Sequence, residues 1–381
     1  MVKFLSAKHK IHKTSQAMQA QLAAAQQNLV EREFPTFQAL WDRACADLHL
    51  KLSGAPDWKE HTARRFAELP YSELINQVMP VVVAAGIPGQ AQDVTARSVA
   101  KRIHLLRAFA EPDAVISSIE AKIKGIISAF PRTARNIECG KNPGDVLDPY
   151  LLAAAQNLLF SGSFEKTIDA SVSHKIFMML EDLIGHLHED VIGDMRGNVR
   201  VPEPRGEQQE GINLLTNPFP GADVVQPPLA AGGKMRFHQV KNKTGSAKGG
   251  DGKRLGDQLQ NLQTVYDGEI FYDALIGNTL RGHRSRKGVT SAAPSVVVLV
   301  GRAAFRELTY SEIGPELLLR VYQEAFMEAA RTAGYSYAQV LKSIVKAFKI
   351  RAEEAGTGFL EGVLRDVTDG AATEQDSRAE K

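Results

Sequence analysis

Cysteine is scarce in this chain of 381 residues: Cys45 and Cys139 are the two present, far apart in sequence. Two thiols cannot build a disulfide framework or a cysteine-rich zinc site, and their scarcity fits a reducing, cytoplasmic setting. Long apolar runs are missing too. Val81–Ala85 and Ser295–Val300 have the length of a strand or short core segment, well below the ~18 residues of a membrane span. The amino-terminal MVKFLSAKHKIHK is basic but lacks an apolar core and a small-residue cleavage site, so it predicts neither signal peptide nor anchor. Walker spacing is absent even from the glycine-rich NKTGSAKGGDGKR of Asn242–Arg254, which argues against a nucleotide cofactor. No Gly-x-Ser-x-Gly elbow or other nucleophile signature occurs. Net charge is small, only +2.

What is present is an ordinary globular composition, 44% hydrophobic and 24% charged, in a chain long enough for two or three domains. The charge is unevenly spread. Between Lys234 and Lys287 there are 11 Lys/Arg and 5 Asp/Glu, a local excess of +6. A basic field on a nearly neutral protein points to a polyanion-binding face; a solvated surface loop is the plainer reading.

Helical patterns dominate the first part: Ser15–Arg32, Phe34–Leu50, Thr95–Phe109 with Val99, Ile103, Leu106 and Phe109 inward, Pro112–Ala129, Pro149–Leu159 and His174–Ile192. Arg97, Lys101 and Arg102 are expected to face outward. A Pro- and Gly-rich stretch, 197–233, then leads to strand candidates at Asp223–Gln226, Lys234–Lys241 and Ser295–Val300, the last reading as buried on both faces. Leu255–Tyr266 reads as a helix between strands, with Leu255, Leu259, Leu262 and Tyr266 on one face. Helices resume at Pro315–Ala333 and Tyr337–Ala355, and the polar tail 370–381 reads as disordered. The organisation expected is a helical region over 1–150, for DNA binding or dimerisation, and a mixed α/β domain over 151–369 whose small sheet is flanked by helices.

Along KMRFHQVK, alternation puts Met235, Phe237, Gln239 and Lys241 on one face and Arg236, His238 and Val240 on the other. Pro218-Phe219-Pro220-Gly221 makes a sharp turn, so a strand starting at Asp223 can bring that carboxylate to Gln239 and Lys241. A carboxylate and an amide carbonyl are oxygen ligands for Mg²⁺, and a neighbouring lysine can orient water and stabilise developing negative charge.

Asp223, followed after 15 intervening residues by Gln239-Val240-Lys241 on a strand, resembles the PD-(D/E)xK nuclease superfamily, and within it the type II restriction endonucleases. The resemblance covers about residues 174–301. It implies a restriction-endonuclease-like mixed β-sheet core flanked by helices, a Mg²⁺ cofactor, double-stranded DNA as substrate and a homodimer matching a palindromic site. Asp223 becomes the metal-binding aspartate and Lys241 the catalytic lysine. Gln239 stands where the family carries an acid, so another carboxylate must supply charge. Glu181 and Glu189 on the preceding helix are the candidates, with Asp251 in reserve.

The basic residues divide into two groups. Lys243, Lys248, Lys253 and Arg254 suit a DNA backbone. Arg281, His283, Arg284, Ser285 and Arg286 suit contacts to bases or phosphates. Asp182, His186 and Glu189 fall at helical spacing, but a solvated polar face explains them better than a metal site. Two other functions stay open on these residues: a repair or recombination nuclease acting on DNA structure, and an inactive DNA-binding protein in which Gln239 marks lost catalysis.

Overall fold

A computed structural model describes residues 14–52, 54–58, 62–138, 149–202, 218–243, 251–277 and 284–333, with isolated positions 342, 346, 350, 360 and 364. Helix α1 (Gln16–Gln27) starts where the Ser15 hydroxyl accepts the Met18 N–H at 3.1 Å. The helix expected to run on to Arg32 breaks at Asn28, whose side chain accepts the Gly197 N–H at 2.9 Å. A long-range bond thus outweighs local propensity, and a single turn, α2 (Val30–Glu33), follows. Next come α3 (Phe37–Asp47), α4 (Ala63–Ala67), α5 (Tyr71–Ala84) and α6 (Gly89–Ala108). The Val81–Ala85 run is absorbed largely by α5, with Val78, Val81 and Val82 buried.

These helices share a core in which Trp41, Phe66, Val99, Ile103 and Leu106 are buried, with Phe37 and Phe66 edge to face at 4.5 Å. The inner stripe expected on α6 is the one observed. Its polar face is not wholly outward. Arg97 is exposed beside Asp93, but Lys101 bonds Glu324 at 2.6 Å. Arg102 is buried, forked between Asp47 at 2.7 Å and both oxygens of Asp113 at 2.7 and 2.8 Å. Planar bidentate pairing is what lets a guanidinium sit inside.

Three further helices follow: α7 (Pro112–Glu138), α8 (Pro149–Leu158) and α9 (Phe164–Gly193). The chain then enters β1 (Val199–Arg200), β2 (Val224–Gln226), β3 (Arg236–Lys243), α10 (Asp251–Tyr266), β4 (Glu269–Ile276), α11 (Arg284–Ala292), β5 (Val297–Val300), α12 (Arg302–Thr309) and α13 (Gly314–Ala333). Asn242–Arg254 is therefore not wholly a loop: its first two residues end β3, and its last four open α10. Tyr337–Ala355 and the tail from Gly370 lie outside the described residues, apart from the isolated positions.

The chain divides into two compact units, Met1–Ile119 with Gly185–Glu324, and Glu120–Ile184 with Ala325–Lys381. The second is helical in its described part, with Leu152, Thr167 and Ile168 buried. Among the described residues the first holds a sheet of five strands in the order β1-β2-β3-β4-β5. β1, β2 and β3 pair antiparallel; β3, β4 and β5 pair parallel. Parallel neighbours need crossovers, which α10 and α11 provide. The protein is thus mixed α/β, with a mostly helical N-terminal region.

One sheet face packs Val225, Phe237, Ile270 and Tyr272 on Leu255, Leu259, Leu262 and Tyr266 of α10 and on Met18 and Leu22 of α1. Each fully buried large side chain there contributes about 1.5–3 kcal/mol. The Ser295–Val300 segment differs from its expectation. Its strand β5 ends the described sheet, and Val297 is exposed. An edge position, not the composition of the run, sets its burial.

Two buried histidines give this unit an acid limit. His104 and His188 are both pushed down to about 4 by burial. Below the unfolded value of 6.5 the unfolded chain takes up protons that the folded chain refuses, so stability is full above pH 6.5 and declines as pH falls toward 4. Each histidine is expected to withdraw about 3 kcal/mol across that window. Urea unfolding at pH 7 and pH 4.5 checks this, and His104→Gln is expected to flatten the decline by about one proton's worth. An unchanged slope in that variant would exclude His104 as a source.

Candidate active site

The Pro218–Gly221 turn is anchored from the core. Phe219 packs against Phe237 at 5.4 Å and Tyr266 at 5.3 Å, and the Tyr266 hydroxyl donates to the Pro218 carbonyl at 3.2 Å. Gly221 has φ +90°, and a Cβ there would lie 2.6 Å from Cβ of Gln258 on α10. Both the left-handed backbone and the close helix demand glycine. The chain leaves this turn at Asp223, just before β2.

Asp223 replaces the end of a backbone ladder with its side chain. Its N–H donates to the His238 carbonyl at 2.8 Å, while Oδ2 accepts the Val240 N–H at 2.7 Å and the Gln239 amide at 2.5 Å. Asp223 and Gln239 are each only 3% exposed. Lys241 follows two residues later on the same strand face, half-buried. The structure thus brings Asp223 and Gln239 into contact midway along β3, with Lys241 two residues further on along the same strand face.

Glu189 reaches this region through a residue that the sequence pattern does not single out. Arg200, at the end of β1, bonds Glu189 Oε2 at 2.7 Å and Asp190 Oδ1 at 3.0 Å and donates to the Asp223 carbonyl at 2.9 Å. The only local signal is an arginine between Val199 and Val201, both buried. The neighbouring acids raise its pKa against the opposing effect of burial. Glu181 is exposed and falls in the other compact unit. His188 is buried and bonds the Tyr322 hydroxyl at 2.8 Å. Among the described residues no three His, Cys, Asp or Glu side chains are grouped closely enough to hold a metal ion by themselves.

The two basic segments meet through α10 and α11. A Cβ on Gly288 would fall 2.9 Å from the Lys253 nitrogen, and one on Gly256 would fall 2.7 Å from Ala292 Cβ. Only glycine permits that approach, and the contacts advance in the same direction along both helices. Lys253 and Arg254 are exposed at the start of α10; Lys287 is exposed and Arg286 half-buried on α11. Lys243 closes β3, and Arg284 and Ser285 open α11. Asp251 opens α10. Lys248, Arg281 and His283 lie outside the described residues.

A cavity of about 460 Å³ opens elsewhere, at the ends of β4 and β5. Leu275, Ile276, Phe305, Leu318 and Leu319 line it, and no acid does, which sets it apart from the Asp223 cluster. No helix among the described residues is long and apolar enough to cross a membrane. The chain matches no family model, and no curated protein matches it significantly.

Proposed function

We propose that the chain is a Mg²⁺-dependent endonuclease of the type II restriction class, cutting double-stranded DNA at a short specific sequence in the cytoplasm. One observation carries the reading: the buried Asp223 carboxylate touches the Gln239 amide across β2 and β3, two residues before Lys241. The sheet order, with a helix between each pair of parallel strands, accords with a restriction-endonuclease-like core. The starts of α10 and α11 add basic side chains and N-terminal dipoles, both suited to phosphate.

The donor set fits a hard cation. Asp223 offers a buried carboxylate, and Gln239 would hold the same ion by turning its amide so that Oε1, not Nε2, faces Asp223. Glu189 is the further charge within reach of one guanidinium. Bound there, Mg²⁺ supplies water activation and neutralises charge on the scissile phosphate. Lys241 orients the attacking water and stabilises the charge that develops on the phosphate. The basic residues of β3, α10 and α11 hold the DNA backbone, and a homodimer presents two such sites to a palindrome.

The amide N–H on Asp223 also favours a second reading, a DNA-binding protein that has lost catalysis, since it satisfies the carboxylate without a cation. Incubation with plasmid and viral DNA, in Mg²⁺ and in EDTA, separates the two. Discrete Mg²⁺-dependent fragments, lost in Lys241→Ala, are the expected result. Nicking that follows DNA structure would move the protein to the repair class, and binding without cleavage would sink both enzyme readings.

A further inference from the structure

Arg200 has no task in the mechanism above, yet it is built into the site. Gly193, at the end of α9, allows the approach: a Cβ there would lie 2.6 Å from Arg200 Cβ and 2.9 Å from its Cα. That contact lays β1 against the last turns of α9 and brings the guanidinium to Glu189 and Asp190. Its three nitrogens are then committed, Nη2 to Glu189 at 2.7 Å, Nε to Asp190 at 3.0 Å and Nη1 to the Asp223 carbonyl at 2.9 Å. Arg200 and Glu189 are both largely buried, so their attraction is only weakly screened by salt. Asp223 adds a third negative charge beside the same guanidinium.

Resting on the nuclease reading, we propose that Arg200 is the internal counter-ion of the site: it holds Glu189 in the cation-free chain, and a divalent cation at Asp223 binds by taking that carboxylate from it. Gln239 carries no charge, so the cation depends on a second carboxylate beyond Asp223. A guanidinium does not lose its proton, so its competition for Glu189 is permanent. Arg200 therefore sets how much divalent cation the site needs.

The sign of one substitution separates this role from bracing. Mn²⁺ alone is titrated calorimetrically into the full chain, wild type against Arg200→Met, Glu189→Gln and the double variant. Arg200→Met is expected to bind Mn²⁺ about tenfold more tightly, because a positive charge near the cation is gone. Glu189→Gln is expected to bind more weakly by a similar factor, and the double variant to lose the gain. A residue that only braces β1 against α9 gives the opposite sign, a folded Arg200→Met with weaker Mn²⁺ binding. Should Arg200→Met fail to fold, Arg200→Gln, which keeps a donor for the Asp223 carbonyl, carries the same expectation. Asp223-dependent binding without a gain in the arginine variant overturns the counter-ion role alone. A wild type with no Asp223-dependent Mn²⁺ binding overturns it together with the nuclease reading.

Discussion

Asp223→Asn is expected to fold and to cut plasmid DNA about a thousandfold more slowly than the wild type. Asparagine has nearly the shape of aspartate, and its carbonyl oxygen can still accept the Val240 N–H. The buried turn anchored by Phe219 and Tyr266 is untouched. Exchanging a charge-assisted bond for a neutral one costs about 1 kcal/mol of stability, far less than the whole fold holds. What disappears is the negative charge on which the proposed Mg²⁺ site depends. The companion variant moves the other way. Gln239→Glu sets two carboxylates in contact, which repel without a cation and cooperate with one. Its half-maximal Mg²⁺ concentration for cleavage is expected to fall about tenfold while its cation-free stability drops. Initial rates over a Mg²⁺ series, with circular dichroism to establish folding, measure both. An Asp223→Asn protein that cuts at the wild-type rate would place the reacting centre elsewhere.

The parts of this arrangement that sequence reasoning reaches are those encoded within a few residues. Leu255, Leu259, Leu262 and Tyr266 recur at helical spacing, and all four are buried on α10. The Pro218–Gly221 turn followed by Asp223 is equally local, as is the alternation that puts Gln239 and Lys241 on one face. Strand β4 is less accessible. EIFYDALI is buried on both faces apart from its ends, so it shows no simple apolar and polar alternation, and its Asp273 makes sense only beside His238, 35 positions away. The apolar run at Ser295–Val300 misleads for the converse reason: composition favours a central strand, while connectivity makes β5 an edge of the described sheet. Arg200 is a long-range residue of the same kind. Its role depends on Gly193 admitting β1 against α9, and neither residue belongs to a motif.

Asp273→Ala is expected to cost 3–5 kcal/mol of stability, about the cost of breaking a buried charged pair. Asp273 and His238 are inaccessible to solvent, with Oδ2 2.9 Å from Nδ1. The proton pattern around them follows from Gln226. Its amide nitrogen donates to Asn198 Oδ1 at 2.8 Å and to the Glu307 carbonyl at 3.0 Å, so its oxygen is left to accept. His238 Nε2, 3.1 Å from that oxygen, must therefore carry a hydrogen. Nδ1 and Asp273 then share one further proton, and burial pushes the Asp273 pKa up against the pull of His238. In either placement the pair is neutral and hydrogen-bonded. Alanine removes the partner of Nδ1 and leaves a void, while Phe271 stacked on the imidazole at 4.5 Å hinders its turning toward another partner. Asp273→Asn keeps a donor for Nδ1 in nearly the same volume, so its cost is expected to be about 1–2 kcal/mol. Urea unfolding at pH 7 compares the two. Equal losses would mean that the sheet needs only the volume at position 273, whereas the expected gap assigns most of the cost to the hydrogen bond joining β3 to β4.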